Sequence, residues 1–155
     1  MSTSIGKSRG KRTQSGAAAL EFALVAPLLI ILVFGVISFG IVFGQQLALG
    51  NAAREASRYG VVEGRTCAQV TSAAKDAANT IGMSGTNVAV SVKRGATEAA
   101  ATDVCPTTAA NPCKGSVVGD SLYVELGFTS KMVIPMVMDN NIALKSDGVF
   151  RCEYS

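Results

Sequence analysis

Two groups of residues in this 155-residue chain have the types and spacing to do chemistry. The first is Gly16, Ala17 and Glu21, at the entrance to an apolar run, residues 22–43, that contains no charge. A cut after Gly16 would break the Gly16–Ala17 bond. Cleavage there would give Ala17 a free α-amino group and make Glu21 the fifth residue of the shortened chain. A carboxylate in hydrocarbon costs about 2.5–3.5 kcal/mol on insertion scales, so Glu21 calls for a cationic partner. The Ala17 ammonium of a neighbouring copy would serve, and would act as a registry device because wrong staggers leave both charges unpaired.

The second group is Cys67, Cys105, Cys113 and Cys152, all on the far side of the apolar run. An even count in a small region with a modest core points to two disulfides in an oxidising compartment. A zinc site is disfavoured, because the chain has no histidine and intervening lengths of 37, 7 and 38 residues provide no CxxC pair. Of the three possible connectivities we expect Cys105 with Cys113, closing a short Pro-bearing loop, and Cys67 with Cys152, tying the first ectodomain helix to the C-terminus.

Catalytic chemistry has little support. The sequence lacks histidine, a P-loop, a dinucleotide-binding glycine pattern after a strand, and GxSxG. Glu98, Asp103, Asp120 and Glu125 read as solvated loop and strand positions. The expectation is a protein that is not an enzyme, with no cofactor and no metal.

The elements that must position these residues follow from the charge and hydropathy pattern. Residues 1–16 carry Lys7, Arg9, Lys11 and Arg12 and no acid, whereas the remainder has ten basic and eleven acidic side chains. Loss of the leader would take the net charge from +3 to −1, so no basic face remains for nucleic acid. The leader reads as a positive-inside signal that keeps the N-terminus cytoplasmic. The run 22–43 would reach about 33 Å as a helix, enough to cross a hydrocarbon core of about 30 Å. Pro27 removes one backbone bond, which membrane helices tolerate. Gly40 and Gly44 form a GxxxG that permits close helix contact. The segment 132–138 (MVIPMVM) is too short to span and suits a core strand or a contact patch.

Beyond the run, Leu49, Ala52, Ala53, Ala56 and Tyr59 recur at helical spacing while Gln45, Gln46, Asn51, Arg54, Glu55 and Arg58 take other faces. This predicts an amphipathic continuation to Tyr59, with Gly60 and Gly64 as the stop, that packs its small-residue stripe outside the bilayer. Thr66 and Gln69 have capping-box spacing, which predicts a second helix extending to Ile81. Val88, Val90 and Val92, then Leu122, Val124 and Leu126, alternate as strands, and residues 142–154 supply a third. Residues 95–119 read as a long loop. The fold class is α+β: a leader over 1–16, a transmembrane and amphipathic helix over 17–60, and a small disulfide-bonded ectodomain over 61–155 with a short helix and an antiparallel sheet.

The Gly16/Glu21 arrangement resembles type IV prepilins and pseudopilins. The string GAAALEFALVAPLLIILVFGVISFG followed by QLALGNAAREASRYG resembles the TadE-like proteins of the tight-adherence (Flp) pilus system. The resemblance is strong over residues 16–60, and the FRCEY segment, 150–154, resembles the family's final strand less specifically. It implies a bacterial membrane-anchored pilin-like protein cut between Gly16 and Ala17 by a prepilin peptidase, with Glu21 as the acid needed for processing or assembly. It also implies other pilin-like subunits, the inner-membrane assembly platform and the lipid bilayer as partners. Because major Flp pilins are very short, the extra residues here point to a minor pilin or pseudopilin in pilus assembly for adhesion. Two readings compete with this one. The chain would be an uncleaved single-pass protein whose ectodomain binds an envelope partner, or a secreted protein cut near 48–50, behind an h-region too long for that purpose.

Overall fold

The computed structural model describes residues 13–80, 82–134 and 138–153. The basic leader side chains, Ile81, Pro135 and Tyr154 lie outside the described residues. Helix α1, Thr13–Gly60, runs unbroken through Pro27. Its end at Gly60 is set by close approach, since a Cβ there would meet Leu122 Cδ2 at 2.6 Å and Val70 Cγ2 at 3.2 Å. The chain then turns through Gly64, whose φ of 80° suits glycine. Helix α2, Cys67–Ala77, starts at the expected capping box: Gln69 N donates to Thr66 Oγ1 and Thr66 N donates to Gln69 Oε1. It stops four residues before the predicted end, because the chain turns back on itself and Thr80 pairs with Met83.

The sheet contains β1 (Ala89–Gly95), β2 (Thr102–Asp103), β3 (Ser121–Ile134) and β4 (Met138–Arg151). It is antiparallel in the order β2-β1-β3-β4. The hairpin of β3 and β4 is its backbone, paired from Ser121↔Arg151 to Ile134↔Met138. Strand β2 is a two-residue edge inside the segment expected to be all loop. The expected third strand is present but longer, starting at Met138 and ending at Arg151.

One face of the sheet carries the core. Leu122, Val124, Leu126 and Phe128 of β3, Leu144 of β4 and Val92 of β1 meet Leu49, Ala52, Ala53 and Ala56 of α1, and Val70 and Ala74 of α2. The helix residues facing β4 are small for a geometric reason. Gly148 on β4 lies against the Ala53 carbonyl, where no Cβ would fit, and Gly50 faces the Ser146 hydroxyl. Small side chains on both partners let the helix backbone rest directly on the sheet, and the buried apolar area this creates is the main stabilising term.

The disulfides are Cys67–Cys105 and Cys113–Cys152, which corrects the expected connectivity. The reason lies in the backbone of the intervening loop. Cys67 N donates to Ala110 O and Ala68 N to Thr108 O, so the loop passes over the start of α2 and brings Cys105 to Cys67. Cys152 N donates to Asp120 O, which fixes the end of β4 beside the other end of that loop, where Cys113 lies. Each bridge closes a long segment of 38 or 39 residues.

Candidate membrane anchor and assembly surface

Helix α1 divides sharply by environment. From Val42 onward one stripe is buried: Val42, Gln45, Leu49, Ala52, Ala53, Ala56 and Ser57. Before Val42 no described residue is buried; Leu20, Phe22, Leu24, Leu28, Leu32 and Phe39 are each more than 60% exposed. This stretch, residues 16–41, is about 39 Å long. Among the described residues α1 is the one helix long and apolar enough to cross a membrane. An apolar surface of that size is not tolerated in water, so lipid or other apolar helices must cover it.

Gly16, Ala17 and Glu21 all lie on the exposed part of the helix. No described basic side chain forms an ion pair with Glu21. The two residues of the GxxxG, Gly40 and Gly44, have open space where a Cβ would stand, so nothing among the described residues uses their smallness. Ala52, Ala56 and Tyr59 behave differently. Ala52 and Ala56 are buried against this chain's own sheet, while Tyr59 is partly buried and carries the Arg65 guanidinium 4.3 Å above its ring. The small-residue stripe therefore packs on the sheet of the same molecule.

The junction between the two halves is polar, with one buried bond and one exposed. Ser130 Oγ donates to Gln45 Oε1 at 2.6 Å, and Gln46 Nε2 donates to Lys145 O at 2.9 Å. A buried pair of this kind fixes where along the helix the sheet sits, because sliding would strand both polar groups.

The acids beyond α1 are less idle than their spacing implied. Asp120 is largely buried, with Oδ2 3.8 Å from Arg94 Nε and accepting from Val117 N. Arg94 Nη1 also donates to Pro112 O and Lys114 O, so this guanidinium holds the loop that carries Cys113. Asp103 accepts from Cys105 N, and Glu125 lies between Lys93 and Lys145. The Lys93 ammonium, then that of Lys145, holds the Glu125 carboxyl below its usual range. Glu98 makes no such contact among the described residues and lies in an exposed 3₁₀ turn. These contacts organise loops. Among the described residues no group of acids and cysteines is arranged to hold a metal.

No curated protein and no solved structure matches the chain. One family model does match, over residues 16–58, which is the exposed helix together with the stripe that docks on the sheet. Its description is TadE-like protein, so the N-terminal segment of this chain is similar to that family.

Proposed function

We propose that the protein is a minor pilin or pseudopilin of a tight-adherence pilus, held in the cytoplasmic membrane with its N-terminus inside and its ectodomain outside. The observation that carries this reading is the free apolar half of α1, with Glu21 near its start forming no ion pair among the described residues, in the segment that matches the TadE-like family. An ectodomain that folds onto only one half of its helix leaves the other half available to equivalent helices. Cleavage between Gly16 and Ala17 by a prepilin peptidase would supply the ammonium that Glu21 lacks, from the next subunit. Pairing across subunits then favours one axial stagger. The disulfide-bonded ectodomain, absent from the shortest pilins, fits a minor or initiating subunit better than the repeating one.

N-terminal sequencing of the protein purified from cells with and without an active prepilin peptidase tests the cleavage. A chain beginning at Ala17 only when the peptidase is active is expected, and a chain still beginning near Met1 refutes the proposal in favour of an uncleaved single-pass protein. Immunogold labelling of sheared pili tests the role: sparse decoration is expected, and uniform decoration would make this the major subunit.

A further inference from the structure

The two disulfides differ in setting but not in span. Their sequence separations are 38 and 39 residues, so loop size does not distinguish them and any difference in reactivity comes from the fold. Cys113 is fully buried in the core, and Arg94 Nη1 donates to the carbonyls on both sides of it, Pro112 O and Lys114 O. Cys152 N donates to Asp120 O, and the Asp120 carboxylate faces the same guanidinium, so one arginine clamps both ends of that bridge. Cys67 and Cys105 instead form part of the wall of a surface cleft of about 350 Å³, with Thr71, Ser72, Lys75 and Thr108 around them. We propose that Cys67–Cys105 is an exchange-active bridge, which an external dithiol reduces by attack on Cys105 while Cys113–Cys152 stays oxidised.

The surroundings of the two sulfurs set the direction of attack. Cys67 is the first residue of α2 and is nearly buried, at 3% exposure. A thiolate leaving there sits at the positive end of the helix dipole, and Lys75, two turns along, adds a cation to the same cleft. Cys105 is only half-buried, which leaves its sulfur open to a nucleophile. Its amide donates to the Asp103 carboxylate at 2.8 Å, so negative charge on Cys105 is disfavoured beside that acid. Exchange is faster when the better-stabilised thiolate leaves, which makes Cys67 the leaving group and Cys105 the sulfur attacked.

In the first step a thiolate of the dithiol bonds to Cys105 Sγ and the Cys67–Cys105 bond breaks, its electron pair going to Cys67 Sγ. The second thiolate of the dithiol then attacks the reagent's own sulfur in the mixed disulfide and releases Cys105. Two electrons and two protons pass from the dithiol, which becomes a disulfide, to Cys67 and Cys105, which become thiols. The change is local, because the bonds from Cys67 N to Ala110 O and from Ala68 N to Thr108 O still hold the loop to α2. It does not depend on entry into a pilus.

The full-length oxidised protein, in detergent without denaturant, would be exposed to dithiothreitol, quenched at intervals with N-ethylmaleimide and mapped by fragment-ion mass spectrometry. Expected is labelling of Cys67 and Cys105 roughly tenfold or more ahead of Cys113 and Cys152, with the two rates converging in guanidinium. Equal rates in the native protein, or earlier opening of Cys113–Cys152, overturn the proposal. A lead that persists unchanged in guanidinium also overturns it, since the cleft and the helix terminus are then not its cause. With a monothiol, 2-mercaptoethanesulfonate, and an acid quench, the adduct is expected on Cys105; an adduct chiefly on Cys67 overturns the direction of attack. Circular dichroism should retain the sheet signal once the first bridge is open, and its loss at that point overturns the local character of the change.

Discussion

Replacing Gly148 with alanine adds one methyl group, yet it should be among the most damaging small substitutions in the sheet. The new Cβ would run into the carbonyl carbon and oxygen of Ala53 and stand 2.7 Å from Arg54 N, all of them helix backbone that no side-chain rotation can relieve. Restoring ordinary contact, at 3.4 Å or more, requires α1 to lift by about 1 Å from β4. A gap of that size forfeits a quarter to a half of the dispersion energy across Leu49, Ala52, Ala53 and Ala56, and overpacking of this kind costs about 1–3 kcal/mol. For a domain of this size that corresponds to a fall in Tm of roughly 5–20 °C. Gly127→Ala is the matched control, since on the same sheet its Cβ would meet only Ala89 Cβ at 3.9 Å. It should leave Tm unchanged or raise it slightly by restricting the unfolded chain. Thermal unfolding of the oxidised full-length protein in detergent, followed by circular dichroism, compares the two. Equal Tm values for the two variants would refute the argument that the helix rests on the sheet at Gly148.

Other outcomes follow from the same contacts. Ser130→Ala removes the donor to Gln45 Oε1 in a buried setting and should cost about 1–3 kcal/mol in denaturant unfolding, whereas Gln46→Ala, which breaks an exposed bond, should cost less. Reducing either disulfide releases a segment of 38 or 39 residues and should destabilise the ectodomain by about 3–4 kcal/mol in the chain-entropy picture, read as a shift in denaturant midpoint. Glu125 has a lowered folded-state pKa, so its modest contribution is present above the ordinary glutamate value and is lost as pH falls through the lower folded value. Glu125→Gln should therefore flatten the acid limb of stability against pH without changing the plateau shape above neutrality. Glu21→Ala should leave membrane insertion intact while abolishing incorporation into pili, measured by membrane fractionation beside a sheared-pilus blot; normal incorporation would remove Glu21 from the assembly mechanism.

The helix, its stop at Gly60, the capping box and the starts of β1 and β3 were legible because each rests on local pattern. The continuation of β3 to Ile134 was not, because the core-facing row turns polar at Ser130, whose hydroxyl is spoken for by a residue 85 positions away. Strand β4 hid its register for a related reason: its core-facing positions Ser146 and Gly148 are small where the helix comes closest, so the apolar alternation fades just where packing is tightest. The disulfide partners depend on a loop path fixed by Ala110, Thr108 and Asp120 backbone bonds, which spacing between cysteines does not encode. Asp120 looked solvated because its partner, Arg94, lies on another strand. Glu21 and Gly16 stood out in sequence, but their partners would come from other molecules, so the fold of one chain leaves them bare.

The unbroken passage of α1 from the exposed half into the core also has a mechanical meaning. With no hinge between them, a pull on the apolar half is delivered straight into the sheet. Because β3 lies antiparallel along the helix, that load meets the Gln45–Ser130 bond, the Ala53–Gly148 contact and the Gly60–Leu122 contact together, in shear. Contacts loaded in parallel yield at higher force than contacts peeled one by one, so a chain built this way can be pulled by the exposed end of its helix while the sheet stays folded.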